Sequence, residues 1–306
     1  MTTSVALIGA RGYVGAELLS LLAGHRGFDL AFASSRSLAQ QPVPGFDQTF
    51  RTVTPESVAD NPADVWVLAL PNGLAPEWAR ALGEDAIIID ISADHRFDDG
   101  WVYGLPERNR GAILGARRVS NPGCYATGAQ LGLGPLVDAG FVSAPPHVFG
   151  VSGYSGAGST PSPKNDPVRL RDNLLPYALT NHTHEREISR HVGHEVFFSP
   201  HVAPFFRGIT LTLSVPLVGG VAEADVVDAF QRAYAVEPLV DVVADVPEVR
   251  DAALHHGVRI GGISMDRDGR RVALVVTLDN LFKGAATQAL QNLNLTCGYS
   301  ELEGIA

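Results

Sequence analysis

The sequence predicts a two-domain α/β protein, with an α/β domain on a parallel sheet followed by an α+β domain with a mainly antiparallel sheet. A chain of 306 residues is longer than one hydrophobic core usually serves. Short continuous apolar runs in the first half are typical of parallel strands covered on both faces. Strict alternation of apolar and hydroxyl side chains at 209–215 is typical of a strand with one exposed face.

The composition argues against several classes of protein. Apolar residues make up 45% and charged residues 18%, so we expect sizeable cores and no disordered chain. A net charge of −10 disfavours a nucleic-acid surface as the main role. No apolar run reaches the roughly 18 residues that span a bilayer. We therefore expect small-molecule partners, with neither nucleic acid nor a membrane among them.

The start of the chain and its cysteines indicate a compartment. The first strand-like segment, at 5–8, begins almost at Met1, so we expect no signal or transit peptide before it. Cys124 and Cys297 are the only cysteines, which are too few for a disulfide scaffold. We expect a cytoplasmic protein.

The first half alternates strands with helices. The strand at 5–8 leads through a glycine turn into a helix with Val14, Leu18, Leu21 and Leu22 on one stripe. Further buried strands are expected at 30–33, 65–70 and 87–91. In the second half, strands are expected at 195–199, 209–215, 258–264 and 272–278, and helices at 222–234 and 285–295.

The glycine turn predicts a dinucleotide site. In GARGYVG, three glycines at 9, 12 and 15 follow a strand and open a helix, where backbone N–H groups meet a pyrophosphate. The residues expected to line this site are Gly9, Arg11, Gly12, Tyr13, Val14 and Gly15. The first domain is therefore expected to be Rossmann-like. The alternative is a tight structural turn.

The end of the second strand predicts which dinucleotide binds. An NAD-specific fold offers a carboxylate there, whereas this chain has Ser34, Ser35 and Arg36, and an arginine accommodates a 2′-phosphate. NADP(H) is therefore the expected cofactor. Pro71 and Asn72 follow the next strand, at the sheet edge where α/β proteins bind ligands, and are expected to contact it.

A cysteine behind a Pro-Gly turn predicts a nucleophile. Cys124 follows Pro122 and Gly123, and the residues from Ala126 onward allow a helix. At a helix N-terminus the dipole and the free N–H groups favour thiolate over thiol. Cys297 lies at an apolar helix end and is expected to pack there.

A thiolate in an NADP protein indicates one kind of chemistry. The substrate binds the cysteine covalently, as an acyl or hemiacetal adduct, and this adduct exchanges a hydride with the cofactor. That chemistry needs an acid–base partner. His184 and Glu187 share a face if their segment is helical, so His184 is the expected proton shuttle, and Glu187 orients it or binds substrate. His182 is expected on the other side of the helix. The spacing is not that of a metal site, and no metal is expected.

With these features in place, the chain resembles the N-acetyl-gamma-glutamyl-phosphate reductases of the semialdehyde dehydrogenase group over nearly its whole length. The resemblance is carried by GARGYVG, SSR, DISADHRF (90–97), VYGLPE (102–107), SNPGCYATG (120–128), SGYSGAG (152–158), NHTHEREI (181–188), SPHVAPFFRGI (199–209) and DNLFKGAATQALQNLNL (279–295). The SGYSGAG and HEREI versions are similar to the fungal-type branch. Arg186 replaces the proline of the family's more widespread His-x-His-x-Pro-Glu pattern. Asn72 stands where many members of the family have histidine.

The resemblance implies a reaction in arginine biosynthesis. Cys124 would attack N-acetyl-glutamyl 5-phosphate, release inorganic phosphate and form a thioester, which NADPH reduces to N-acetyl-glutamate 5-semialdehyde while His184 shuttles the proton. The substrate-binding residues would be Ser155, Gly156, Glu187 and Arg207. The further cofactor-binding residues would be Ser92, Asn280, Lys283 and Gly284. Apart from the resemblance, Lys164 in the PSPKNDP loop is an additional basic candidate near the substrate, and a solvated loop lysine is the alternative.

Several alternatives remain open. The same residues would serve another acyl-phosphate reductase, of the aspartate-semialdehyde or aminoadipate type, a non-phosphorylating aldehyde dehydrogenase, or a non-catalytic NADP-binding regulator. We expect an NADP-binding domain at 1–123 completed by the C-terminal helix at 280–306, and a catalytic and dimerisation domain at 124–279. The flat sheet of the second domain also predicts a homo-oligomer, either dimer or tetramer.

Overall fold

A computed structural model describes residues 2–305 of the chain. The chain forms two compact units, Met1–Gly123 with Ala285–Ala306, and Cys124–Gly284. The functional domain boundary near 279 that we expected from the sequence stays a prediction, because the compact units divide five residues later, after Gly284.

The first unit is an α/β layer structure. Its strands are β1 (Thr3–Ile8), β2 (Phe28–Ser34), β3 (Val65–Leu68), β4 (Ile87–Asp90), β5 (Val102–Tyr103) and β6 (Arg118–Ser120). Its helices are α1 (Tyr13–Ala23), α2 (Ala75–Leu82), α3 (Pro106–Ile113) and α9 (Thr287–Cys297). All six strands run parallel in the order β2-β1-β3-β4-β6-β5.

Apolar cores lie on both faces of this sheet, as the continuous apolar strands predict. On one face, Leu18 of α1 and Leu290 and Leu293 of α9 pack with Val5 and Leu7. The alternate strand residues belong to a second cluster of large side chains, which includes Phe32, Trp66, Trp78 and Ile88. The predicted parallel sheet with both faces covered is thus confirmed.

Helix α9 fixes the segment that leads to Cys124. The side-chain amide of Asn292 donates to the Gly104 carbonyl and to Asn121 Oδ1, both at 2.9 Å. Asn121 is fully buried, and its N–H donates to the Asp90 carbonyl at 2.7 Å. Polar side chains on a buried helix are tolerated when they find partners. Here they hold the loop at 121–123 in place.

The second unit is α+β. Its helices are α4 (Cys124–Asp138), α5 (Pro167–Leu170), α6 (Thr183–Val192), α7 (Glu223–Tyr234) and α8 (Val249–Ala252). Its strands are β7 (His147–Gly153), β8 (Leu175–Pro176), β9 (Phe197–Ala203), β10 (Ile209–Pro216), β11 (Val240–Val242), β12 (Val258–Met265) and β13 (Arg271–Leu278). They form one sheet in the order β11-β12-β13-β10-β7-β9-β8, in which β11–β12 and β7–β9 are the parallel pairs.

One face of this sheet is buried under α4. Ile209, Leu211, Leu213 and Val215 of β10 are fully buried, as their alternation predicts. The helix approaches closely because it carries glycine: a Cβ on Gly128 would lie 2.8 Å from a methyl group of Leu211. A side chain there would have to displace the core it packs against.

Part of the opposite face of the sheet is accessible to solvent. It presents Phe149, Val151, Thr210, Thr212, Ala273 and Val275, none of which is buried. Within residues 2–305, no helix combines the length and the apolar character that crossing a membrane requires.

Candidate active site

Cys124 is the first residue of α4, so the predicted helix start is confirmed. The thiol is partly exposed. Gly284 packs directly against it, because a Cβ on that glycine would lie 2.8 Å from Cys124 Cβ. The N–H of Gly284 donates to the Asp279 carbonyl at 2.9 Å, which fixes this glycine in the turn that follows β13. Gly284 thus leaves space beside Cys124 that any larger residue would fill. This packing role is compatible with the cofactor contact that we expected from the sequence.

His182 and His184 are neighbours, which corrects the expectation that they lie on opposite sides. His182 is the N-cap of α6, and its Nδ1 accepts a hydrogen bond from the His184 N–H at 3.1 Å. The two rings are 4.9 Å apart. The N-cap has extended backbone angles, so helical periodicity does not describe its direction. His184 also lies 5.6 Å, ring to ring, from Tyr125, the residue after the cysteine.

Two glutamates on α6 differ in their surroundings. Glu185 accepts hydrogen bonds from the N–H groups of Asn181 (3.1 Å) and Phe198 (3.0 Å), so it ties the helix start to β9. Glu187 is fully buried three residues after His184. A buried carboxylate on the His184 face fits the expected orienting role.

Two tyrosines complete the surroundings of the thiol. The Tyr125 hydroxyl donates to the His201 carbonyl at 2.7 Å. Burial raises the pKa of Tyr177, and the charge of Cys124 raises it further. The Tyr177 ring lies 5.4 Å from the ring of His182. Burial also raises the pKa of Tyr125, so both hydroxyls stay protonated near neutral pH. Sequence reasoning missed Tyr177, because it lies in a loop without periodic pattern.

Arg207 is held by a buried carboxylate. Its Nε lies 2.7 Å from Asp279 Oδ2, and Asp279 is fully buried. The guanidinium stacks 4.7 Å above the Phe282 ring. Asp279 also accepts from the N–H groups of Leu254 and Leu281 at 2.7 and 2.8 Å. Sequence reasoning missed this carboxylate, although Asp279 is the first residue of the DNLFKGAATQALQNLNL segment.

Asn280 connects the same turn to the SGYSGAG loop. Its Nδ2 donates to Ser155 Oγ at 2.8 Å, and its Oδ1 accepts from the Gly208 N–H at 2.7 Å. The Ser155 N–H is bonded to the Phe206 carbonyl at 3.0 Å. Asn280 is therefore engaged inside the second unit, which favours a structural role over the cofactor contact expected from the sequence. Gly156, in contrast, is exposed at the tip of the loop.

The glycine loop of the first unit fits a dinucleotide. Gly9 has φ +84°, and a Cβ there would lie 2.1 Å from the Ala69 carbonyl oxygen. Gly12 is the N-cap of α1, and no atom lies within 3.7 Å of the position its Cβ would take. A Cβ on Gly15 would lie 2.8 Å from Ala10 Cα, so this glycine allows the helix to pack closely against the turn that precedes it. A tight turn, open backbone at a helix start and close packing are the three features that hold a pyrophosphate.

Polar and basic side chains lie at the end of β2. Ser34 Oγ accepts from the Val53 N–H at 3.3 Å and Ser35 Oγ from the Leu38 N–H at 3.2 Å, while Arg36 is exposed. Arg51, also exposed, pairs with Ser34 through a parallel bridge. Two arginines thus lie in the chain at or beside the end of β2, where a 2′-phosphate is expected, and sequence reasoning found only Arg36.

The remaining expected cofactor residues differ in accessibility. Pro71 is exposed, and Asn72 Oδ1 accepts from the Ala93 N–H at 3.0 Å. Ser92 is buried, and its hydroxyl donates to Asp90 Oδ2 at 3.0 Å. On the glycine loop, Arg11 is exposed and Tyr13 and Val14 are partly buried. Lys283 is fully buried in the π-helical turn Phe282–Ala286 of the segment that follows β13.

Comparison with protein families matches both halves of the chain. The model described as the semialdehyde dehydrogenase NAD-binding domain matches residues 4–116. The model described as the semialdehyde dehydrogenase dimerisation domain matches residues 124–280. The second match begins at the cysteine that opens α4.

Named relatives are similar over the full chain. An N-acetyl-gamma-glutamyl-phosphate reductase from Xanthomonas oryzae is 49% identical over 99% of this chain and 98% of its own length. One from Stenotrophomonas maltophilia is 50% identical with the same coverage. Protein arg-6, mitochondrial, from Neurospora crassa is 50% identical over 98% of this chain, which spans 36% of that longer protein.

Solved structures share the fold at lower identity. Aspartate semialdehyde dehydrogenase II from Vibrio cholerae superposes with a TM-score of 0.80 at 22% identity, over 97% of this chain and 99% of that one. An aspartate semialdehyde dehydrogenase with NADP from Candida albicans gives a TM-score of 0.76 at 18% identity, over 96% and 98%. The two-domain architecture is thus shared with enzymes of that name.

We expect His182 to titrate below its ordinary pKa of 6.5 because burial and the charge of Lys164 disfavour its protonated form, although Glu185 and Glu187 oppose this. The unfolded chain then binds the proton more readily, so the free energy of unfolding falls as the pH drops below about 6.5. NMR titration of the imidazole signals, assigned with His182→Asn, measures this directly. A midpoint at or above 6.5 would contradict the described surroundings.

Proposed function

Because the chain belongs to the semialdehyde dehydrogenase family, among its N-acetyl-gamma-glutamyl-phosphate reductases, we propose that Cys124 carries the NADPH-dependent reduction of N-acetyl-glutamyl 5-phosphate. The products are N-acetyl-glutamate 5-semialdehyde and inorganic phosphate, an arginine-biosynthesis step. The observation that carries the proposal is Cys124 at the start of α4, next in the chain to a tyrosine that contacts the His184 ring.

The thiolate performs the first step. Cys124 Sγ attacks the acyl carbon, the carbon–oxygen bond to the phosphoryl group breaks, and phosphate leaves with the electron pair. The product is a thioester on Cys124. Starting a helix at the nucleophile favours the anionic sulfur that this attack needs.

His184 handles the proton in the second step. Bound NADPH supplies the hydride that reduces the thioester carbon. His184 donates a proton to the oxygen as the hemithioacetal forms, and takes it back when the carbon–sulfur bond breaks and the aldehyde leaves. The proposed orienting residue is Glu187, which is buried on the same helix.

Arg207 and the SGYSGAG loop are proposed to bind the substrate. The Asp279 carboxylate offsets the charge of Arg207, so the guanidinium recognises substrate oxygens through directed N–H groups more than through net charge. Ser155 is fixed by Asn280 and positions the exposed Gly156. The aspartate semialdehyde dehydrogenases share only the fold at this level of identity, so no observation favours aspartyl phosphate as the substrate.

NADP(H) is proposed to lie in the first unit along the glycine loop. The N–H groups at the start of α1 bind the pyrophosphate, and Gly12 leaves room for it. Arg36 binds the 2′-phosphate at the end of β2. These assignments rest on the open backbone and the exposed guanidinium described above.

A second copy of the chain is the proposed macromolecular partner. The uncovered face of the seven-stranded sheet presents apolar and hydroxyl side chains, and the matching family model is described as a dimerisation domain. Light scattering coupled to size exclusion should give at least twice the monomer mass of 32.4 kDa. A purely monomeric protein would contradict this assembly.

We also propose a cytoplasmic location, which fluorescence microscopy of a tagged chain would test.

We expect turnover to depend most strongly on the Cys124 thiol and the His184 imidazole. In NADP⁺ reduction with N-acetyl-glutamate semialdehyde and phosphate, Cys124→Ser should lose about 10³-fold or more of kcat. His184→Asn should lose about 10²-fold or more, because proton transfer fails. His182→Asn, which removes the imidazole beside His184, should lower kcat by less than about tenfold. Equal losses in the two histidine variants would overturn the assignment of His184.

We expect Arg36 to determine cofactor preference. Arg36→Gln should weaken binding of NADP⁺ and of 2′,5′-ADP by about tenfold or more, since a charged hydrogen bond to phosphate is lost. Binding of NAD⁺ should change less than about twofold. Arg26→Gln, at another exposed arginine of the same unit, is the matched control. Calorimetric titration measures all three ligands. Unchanged 2′,5′-ADP binding would assign the 2′-phosphate to other residues, such as Arg51.

A further inference from the structure

The chain has only two lysines, Lys164 and Lys283, and all its other basic side chains except histidine are arginines. Lys283 is fully buried. Lys164 is partly exposed, in the loop between the SGYSGAG segment and α5. It is therefore the one lysine side chain that a dissolved ligand can reach.

The loop that carries Lys164 is held by its own side chains. Asn165 Oδ1 accepts from the Ser162 N–H at 2.7 Å, and Asn165 Nδ2 donates to the carbonyls of Gly158 and Thr160 at 2.8 Å. The Lys164 N–H donates to Ser162 Oγ at 3.3 Å. The backbone position of the lysine is thus defined by a closed set of bonds.

The ammonium lies among the groups that surround the thiol. Its Nζ is 4.6 Å from the centre of the Tyr177 ring. Tyr177 packs 5.4 Å, ring to ring, from His182, whose ring lies 4.9 Å from that of His184. The positive charge of Lys164 in turn opposes protonation of His182. The ammonium is therefore within electrostatic reach of the reacting groups.

The charge of Lys164 is not balanced by a carboxylate. Across residues 2–305, no acidic oxygen lies within 4.0 Å of its Nζ, whereas Arg207 pairs with Asp279 at 2.7 Å. A partly buried cation over an aromatic ring gains little from neutral partners compared with a directly bound anion. The site therefore contains one basic group that is already neutralised and one that is not.

We propose that the Lys164 ammonium binds an oxyanion of the substrate, either the departing phosphoryl group or the carboxylate. The proposal rests on the proposed function, which supplies a substrate with both groups. A compact ammonium suits this task, because it holds an anion as a point charge without the fixed fork of a guanidinium. Arg207 then directs substrate oxygens, while Lys164 supplies the net positive charge.

Steady-state kinetics in the oxidative direction test the proposal. We expect Lys164→Met to raise the KM for inorganic phosphate or for the semialdehyde by about tenfold or more, with kcat within about threefold. Raised KM for phosphate assigns the phosphoryl group, and raised KM for the semialdehyde assigns the carboxylate. Lys164→Arg should restore most of the affinity. Arg171→Met, at an exposed basic residue of the same segment, should behave like the wild type.

Amine labelling of the wild type gives an independent readout. Acetylation with a water-soluble ester, followed by peptide mapping, should modify Lys164 and spare the buried Lys283. Inorganic phosphate or the semialdehyde, each added alone, should slow labelling of Lys164 if that ligand binds the ammonium. Arsenate should replace phosphate, while chloride at equal ionic strength should not.

The outcomes separate the two proposals. Both KM values within twofold of wild type in Lys164→Met, or labelling that neither ligand slows, would overturn the role of Lys164. A wild type without phosphate-dependent turnover would instead overturn the proposed function. The labelling result then decides the oxyanion site by itself, because it requires binding and no chemistry.

Discussion

The catalytic unit depends on the buried carboxylate of Asp279. This side chain binds the Arg207 guanidinium and the N–H groups of the turn that follows β13, and its own carbonyl binds Gly284. A carboxylate with no solvent exposure is stable only when such partners replace water. The next residue, Asn280, extends the same turn to Ser155. One turn thus connects Arg207, the SGYSGAG loop and the glycine that packs against Cys124.

Hydrogen bonds hold the chain on either side of the thiol, each within its own unit. Three residues before it in the chain, Asn121 is fully buried and bonded to β4 and α9 within the first unit. After it, Tyr125 is bonded to the His201 carbonyl and its ring contacts His184. Glycine at 284 leaves the space that the sulfur needs. For the proposed nucleophile, such positioning reduces the freedom lost on attack, which is how positioning lowers a barrier.

Much of this could be predicted from the sequence, because it is local. Apolar periodicity predicted the parallel and alternating strands, and the glycine trio and the Pro-Gly turn predicted the starts of α1 and α4. The rest depends on tertiary contacts. Tyr177 lies in a loop with no period, and the role of Asp279 follows from burial, which its motif does not encode. His182 turned toward His184 because an N-cap departs from helical angles, and Asn280 proved to be engaged by Ser155 and Gly208.

The central claim is that Cys124 carries the acyl group between phosphate and hydride transfer. Intact-protein mass spectrometry with N-acetyl-glutamate semialdehyde and NADP⁺, in buffer without phosphate, tests it most directly, because oxidation then leaves the acyl group on the enzyme. The account predicts one N-acetyl-glutamyl adduct per chain, mapped to the peptide of Cys124 and discharged by added phosphate. An adduct on another residue, or NADPH formation without any adduct in the phosphate-free reaction, would contradict it.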